Sequence, residues 1–281
     1  MKWYSYVFLS LAAFLLTMGI AYAVGSRLVF IAVLLAFLIS WIAYIPAYLF
    51  QTEKFYDLTG SIKYLLLTWF IYTLSYEFYG FNIGNLILAT LISMWTLRLG
   101  SFLFMRIHKD GEDKRFRTIK TSASQFFLTW TLSGMWVSLC SICALTAIAN
   151  PFGVTLNLIT YIGIGLFFLG FAIEVIADQQ KTAFRAISEN KDRFITSGLW
   201  AISRHPNYLG EIILWFAIAV ISFSSLSGTQ YIALISPIFT YLLLVYVSGV
   251  RMLEDRANKK WGNEPEYQDY KNKTPILFFK I

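Results

Sequence analysis

Leu28-Val-Phe-Ile-Ala-Val-Leu-Leu-Ala-Phe-Leu-Ile-Ser-Trp-Ile-Ala-Tyr-Ile-Pro-Ala-Tyr-Leu-Phe50 contains no charged residue. It is longer than the roughly 18 apolar residues that mark a membrane-crossing helix. The pattern recurs on both sides, giving eight apolar stretches: 4–24, 28–50, 62–78, 83–105, 126–149, 156–177, 208–223 and 231–250. The third and seventh are short and suit a tilted or partly re-entrant helix. Composition agrees, because the 281 residues are 57% hydrophobic, 18% aromatic and only 14% charged. A soluble domain carries about a quarter charged residues. The expected fold is an all-α polytopic transmembrane bundle of seven to eight spans. No small-residue cleavage site follows the first stretch, so it reads as a retained anchor rather than a signal peptide.

Charge sets the orientation. With eight spans, both termini share a side with 51–61, 106–125, 178–207 and the tail 251–281, and these hold nearly all the Lys and Arg. Of the opposite loops only the one with Arg27 is basic; 79–82, 150–155 and 224–230 carry no basic residue. The positive-inside rule then makes the termini and large loops cytoplasmic, in a bacterial-type inner membrane. The net charge of +7 concentrates there and suits lipid headgroups or a phosphorylated cofactor. Nucleic acid is not expected, since no loop forms a basic helix interleaved with stacking aromatics.

The chain 1–281 reads as one membrane domain without a Pro/Ser-rich linker or internal repeat. Asn150-Pro151-Phe152-Gly153 and Ser224 to Gly228 are expected to be tight outer turns. Cys140 and Cys143 form C-x-x-C inside an apolar span, where a thiolate has no stabilising helix start beside water, so packing is the expected role. No metal site is expected.

Four polar segments carry the chemistry. The richest is Gly198-Leu-Trp-Ala-Ile-Ser-Arg-His-Pro-Asn-Tyr-Leu-Gly-Glu211. Pro206 suits a first helical turn, which gathers Arg204, His205 and Asn207 at a helix start that favours anions. Glu211, with Tyr208 beside it, shares a face with Asn207 about a turn into the span, where an ionisable group is costly. A headgroup-anchoring collar is the plain alternative. Next, Glu174, Asp178, Lys181 and Arg185 follow i, i+4, i+7, i+11 as one stripe. Asp178–Lys181 pairing explains part of it, but Glu174 remains inside a span. Carboxylates for ribose or adenine, with cations for phosphates, explain the stripe better, and a basic group for a 2′-phosphate selects NADPH. No G-x-G-x-x-G opens a helix, so a Rossmann domain is excluded. The third segment runs from Trp95 through Arg98 to Arg106 and on through Gly111-Glu-Asp-Lys-Arg-Phe116. Arg98 lies about two turns inside a span; pairing with Glu174 or Glu77 is its structural alternative. The fourth, Gln51 to Ser61, is either an ordinary polar loop or the lining of a substrate mouth.

Taken together, the strings Leu97-Arg98 through Arg115, Ala177-Asp178-Gln179 through Arg185, and Gly198 through Glu211 resemble the steroid 5α-reductase-like membrane reductases, the bacterial branch especially. The likeness runs from about Gln51 to the tail. It implies NADPH in a cytoplasm-open cavity and a hydrophobic small-molecule substrate. It places Asp178 and Arg185 at the adenosine end and its phosphates, Arg98 near the cofactor, and Asn207, Tyr208 and Glu211 at the nicotinamide half. Lys181, Arg204 and His205 join them as cofactor-binding residues. Gln51 and Glu53 fall near a family Gln-Glu pair that polarises the substrate carbonyl, with a one-residue gap. One departure stands out: Trp95 occupies a position where steroid-reducing members have tyrosine. Tyr56 and Glu53 are then the expected proton donors beside Trp95, and the substrate need not be a 3-keto-steroid. The implied activity is reduction of an activated carbon–carbon double bond. Isoprenylcysteine-type methyltransferases, which use S-adenosylmethionine, share an R-H-P-x-Y-x-G helix start and an aromatic tail like Glu264-Pro-Glu-Tyr-Gln-Asp-Tyr270. Asp178 through Arg185 together with Glu211 argue against them. A non-enzymatic lipid-binding or transport protein would spread its polar residues to both faces.

Overall fold

The computed structural model describes residues 2–278, all helix, turn and loop with no strand among them. The helices are α1 (Trp3–Ala23), α2 (Arg27–Leu49), α3 (Tyr56–Tyr79), α4 (Ile83–Asp110), α5 (Ala123–Ile148), α6 (Leu158–Ala186), α7 (Pro206–Phe223), α8 (Ile235–Leu242), α9 (Val250–Trp261) and α10 (Pro265–Lys273). Among the described residues seven helical runs are long and apolar enough to cross a bilayer, and this is a membrane protein. They are α1, α2, α4, α5, α6, α7 and the continuous run Gly228–Trp261. The outward faces fit that solvent: Trp3 and Phe8 are each 69% exposed and Leu15 57%, a surface that suits lipid and not water.

The third expected span is α3, which falls outside that apolar set. At 24 residues it is about 36 Å long, enough to cross, but Asp57, Lys63 and Glu77 dilute its apolar sequence. Two expected boundaries also move. α4 continues past Met105 to Asp110. The expected loop 178–207 opens as helix, because α6 runs to Ala186.

The chain folds as two compact units: Met1–Thr160 with Ile221–Ser236, and Tyr161–Val220 with Pro237–Ile281. In unit 1, α5 is the central helix, packed against α1, α2 and α3. Its apolar sequence on every side requires such burial. Gly134 makes the α2 contact possible, since a Cβ there would lie 2.9 Å from the Phe37 ring. Cys140 and Cys143 form no disulfide and are fully buried in α5, as packing residues are. Hydroxyls along the helices return to their own carbonyls: Thr17 Oγ1 donates to Ala13 O at 2.7 Å and Thr146 Oγ1 to Ile142 O at 2.6 Å. Within hydrocarbon each polar group must be satisfied by the protein, and this is the cheapest way.

Both expected turns form. Gly153 (φ +61°) donates its N–H to Asn150 O at 2.9 Å, and Gly228 (φ +54°) opens the turn before α8. Asn85 holds the first in place, its Oδ1 accepting from Val154 N at 2.8 Å.

Candidate functional site

Unit 2 gathers most of the expected cofactor residues where α6 and α7 meet. A Cβ on Gly210 would lie 2.6 Å from both Glu174 N and Gly170 O, and one on Gly170 2.6 Å from Gly210 O. Small residues let membrane helices approach this closely. The crossing buries Glu174 (2% exposed) and brings Asn207, one residue into α7, onto Asp178. Asn207 Nδ2 donates to Asp178 Oδ1 at 3.2 Å. Glu211 is buried one turn further along α7.

The stripe continues out along α6. Lys181 Nζ stands 4.6 Å from the Trp200 ring centre, a cation–π contact, and Arg185 is exposed in the last turn. Trp200 is fixed by its indole N–H donating to Ala177 O at 3.1 Å, while Gln180 Oε1 accepts from Leu199 N at 3.0 Å. Gly198 (φ +61°) lies so close to the Gln180 amide that a Cβ would fall 2.4 Å from it. Gly198-Leu-Trp thus seats its segment on α6.

Sequence reasoning missed the clamp that the tail supplies. Glu254 on α9 pairs with Arg204 Nη2 at 3.0 Å through one oxygen and with His205 Nε2 at 2.8 Å through the other. Arg204 also donates Nη1–H to Lys271 O at 3.1 Å and its backbone N–H to Pro275 O at 2.9 Å. Tyr270 donates to Trp200 O at 2.6 Å, and Thr274 Oγ1 to Ala201 O at 3.1 Å. Partners 49 and 50 positions apart give no periodic signal; only the cost of burying Arg204 could have hinted at an acid. Burial first pushes the His205 imidazole below its ordinary range, with Glu254 opposing. A carboxylate only accepts, so Nε2 carries the imidazole proton toward Glu254 and Nδ1 is left as an acceptor.

Three polar atoms of this segment are buried without a hydrogen-bond partner among the described residues: Arg204 Nε, His205 Nδ1 and Asn207 Oδ1. Leaving such groups unpaired costs about 1–3 kcal/mol each. One donor and two acceptors within four residues are complementary to a ligand carrying phosphate oxygens together with hydroxyl or amide hydrogens. NADPH carries both, so the residues present fit it. Tyr208 leans toward His205 (6.1 Å between ring centres). Its ring also fills space at Gly249, where a Cβ would lie 3.1 Å away.

The expected catalytic and substrate residues, with Arg98, belong to unit 1. Gln51 is exposed and takes a left-handed conformation (φ +49°) at the end of α2, its amide donating to Tyr48 O at 2.7 Å. Glu53 is 4% exposed, but both its oxygens are engaged: Oε1 accepts from Asp113 N at 3.0 Å and Oε2 from Lys120 Nζ at 2.7 Å. Through these two contacts Glu53 anchors the α4–α5 loop, with both oxygens occupied by the chain's own N–H donors. Tyr56 donates to Thr129 O at 3.0 Å and packs between Phe116 and Trp130, both 5.0 Å away. Trp95, 2% exposed, stands edge-on to Tyr64 at 5.2 Å. The Arg98 guanidinium lies over Phe102 at 5.4 Å.

A buried residue that the sequence reading passed over is Lys63, in the apolar stretch 62–78. It is 0% exposed and donates to Ser40 Oγ at 2.7 Å and Ser133 Oγ at 2.8 Å. The available signal was simple: one lysine among apolar residues.

Comparison with known proteins gives a family. The family described as "Protein of unknown function (DUF1295)" matches residues 43–274, a span that includes every expected catalytic, substrate and cofactor residue. An uncharacterized protein of Schizosaccharomyces pombe is 24% identical over 252 residues, covering 75% of this chain and 69% of the other.

Proposed function

We propose that this chain, which belongs to the DUF1295 family, is a membrane reductase of the steroid 5α-reductase-like kind that uses NADPH to saturate an activated double bond in a lipid-like enone. The observation that carries this reading is the set of unpartnered buried atoms on Arg204, His205 and Asn207 beside the Asp178 carboxylate. When bound, NADPH supplies the hydride.

The chain's own residues bind and orient. Asp178 and Glu174 accept from ribose or adenine hydrogens. Asn207, already donating to Asp178, keeps Oδ1 for a ligand hydrogen. Arg204 Nε offers a donor to a phosphate oxygen, with Lys181, Arg185 and Arg193 as further cations for a 2′-phosphate. Glu254 holds Arg204 and His205 so that these remaining atoms keep fixed directions. Buried donors that are already oriented cost no reorganisation when charge develops on a substrate oxygen. Within unit 1, Glu53 is committed to Lys120 and the Asp113 N–H. The basic residues of 51–61, 106–125, 178–207 and 251–281 support cytoplasmic termini in a bacterial-type inner membrane, with α3 as the eighth crossing.

Substitution of the two contacting residues tests the site. Asp178→Ala and Asn207→Ala should each weaken NADPH binding by about ten- to a hundredfold, the loss of a charged hydrogen bond. Both proteins should remain folded and monodisperse in detergent. Unchanged affinity in both would make the stripe structural.

A further inference from the structure

Lys63 Nζ donates to two partners, both neutral serine hydroxyls. Ser40 turns its own hydrogen back to Ala36 O at 2.9 Å, so its lone pairs face the ammonium. No carboxylate among the described residues lies within ion-pair distance of Lys63. A buried lysine without a counter-charge is expensive to keep charged, and within a membrane protein it marks a ligand or ion pathway by default. A second group points the same way. Trp130, also 0% exposed, sits one turn before Ser133 on α5, and its indole N–H has no partner among the described residues. Its ring is walled by Phe55 at 5.7 Å and Tyr56 at 5.0 Å.

We propose that the α2–α3–α5 junction of unit 1 binds the anionic head of an amphiphile, with Lys63 Nζ and Trp130 Nε1 donating to its oxygens. An anion would supply the counter-charge that holds Lys63 protonated and gives it a third N–H. Two spare N–H donors call for a group that only accepts, such as a carboxylate. Aromatic walls within a membrane unit call for an apolar chain behind that head. The site does not depend on whether unit 2 holds a nucleotide.

Parinaric acid, a fluorescent polyene carboxylate, is the probe, and its methyl ester is the neutral comparison. Both are titrated into the whole protein in zwitterionic nanodiscs, with protein-free discs as background. The acid should bind saturably and at least about tenfold tighter than the ester. Lys63→Met should weaken the acid by about ten- to a hundredfold and leave the ester unchanged. Trp130→Phe keeps the ring packing and should weaken the acid by about threefold or more, deciding the matter if Lys63→Met does not fold. Acid binding no tighter than ester, or undiminished in the folded variants, would overturn the proposal.

Discussion

Glu254→Ala should destabilise unit 2 by about 3 kcal/mol, because it strands the buried Arg204 cation and leaves the His205 Nε2–H without its acceptor. Arg204 and His205 each use one Glu254 oxygen, and the side chain of Arg204 is only 8% exposed. Removing one partner of such a set costs more than the set contributes, since the remaining charge stays desolvated. Glu254→Gln keeps an acceptor and the shape, and should lose about half as much. Unfolding in mixed micelles with increasing SDS, followed by intrinsic fluorescence, reads both. A wild-type curve for Glu254→Ala would show that the tail does not hold the Arg204-His205 segment.

Gly210→Leu is expected to cost a similar amount by a different route. Even the first added carbon meets backbone atoms of α6 at 2.6 Å, and backbone cannot rotate aside as a side chain does. Overpacking of this kind costs about 1–3 kcal/mol, and a leucine belongs at the upper end. Separating α6 from α7 also pulls Asn207 from Asp178, so nucleotide affinity should fall together with stability. Gly165, on α6, has nothing within 4 Å of its missing Cβ. Gly165→Ala should therefore be neutral or slightly stabilising, by up to about 1 kcal/mol. Equal stability of the two variants would remove the close crossing from the explanation of Gly210.

The helices were legible because membrane spans are written in long uninterrupted runs. Pro206 marked the start of α7 by the chemistry of a first turn, and the structure begins that helix at Pro206. The buried carboxylates Glu174 and Glu211 were legible for the same reason: an acid within an apolar helix needs a cause. Three things were hidden. Glu254 reaches Arg204 and His205 from a distant part of the sequence, and no local period encodes that pairing. Gly210 reads as one letter of a motif until the neighbouring α6 backbone is in place. Glu53 looked like a free acid at a membrane surface, but Lys120 and the Asp113 N–H come from a loop whose path only the fold reveals. Lys63 was visible and was absorbed into an apolar average; its partners on α2 and α5 are what make it informative.

The central claim is that unit 2 holds a nucleotide with a 2′-phosphate, and one titration tests it most directly. Detergent-solubilised full-length protein is titrated separately with NADPH, NADH and S-adenosylmethionine, with bound nucleotide followed by fluorescence or calorimetry. Cations at Lys181, Arg185 or Arg193 should make NADPH bind at least about tenfold tighter than NADH, the worth of one charge-assisted phosphate contact. S-adenosylmethionine should not compete. Equal affinity for the two dinucleotides, or tight binding of S-adenosylmethionine in their place, would contradict the claim.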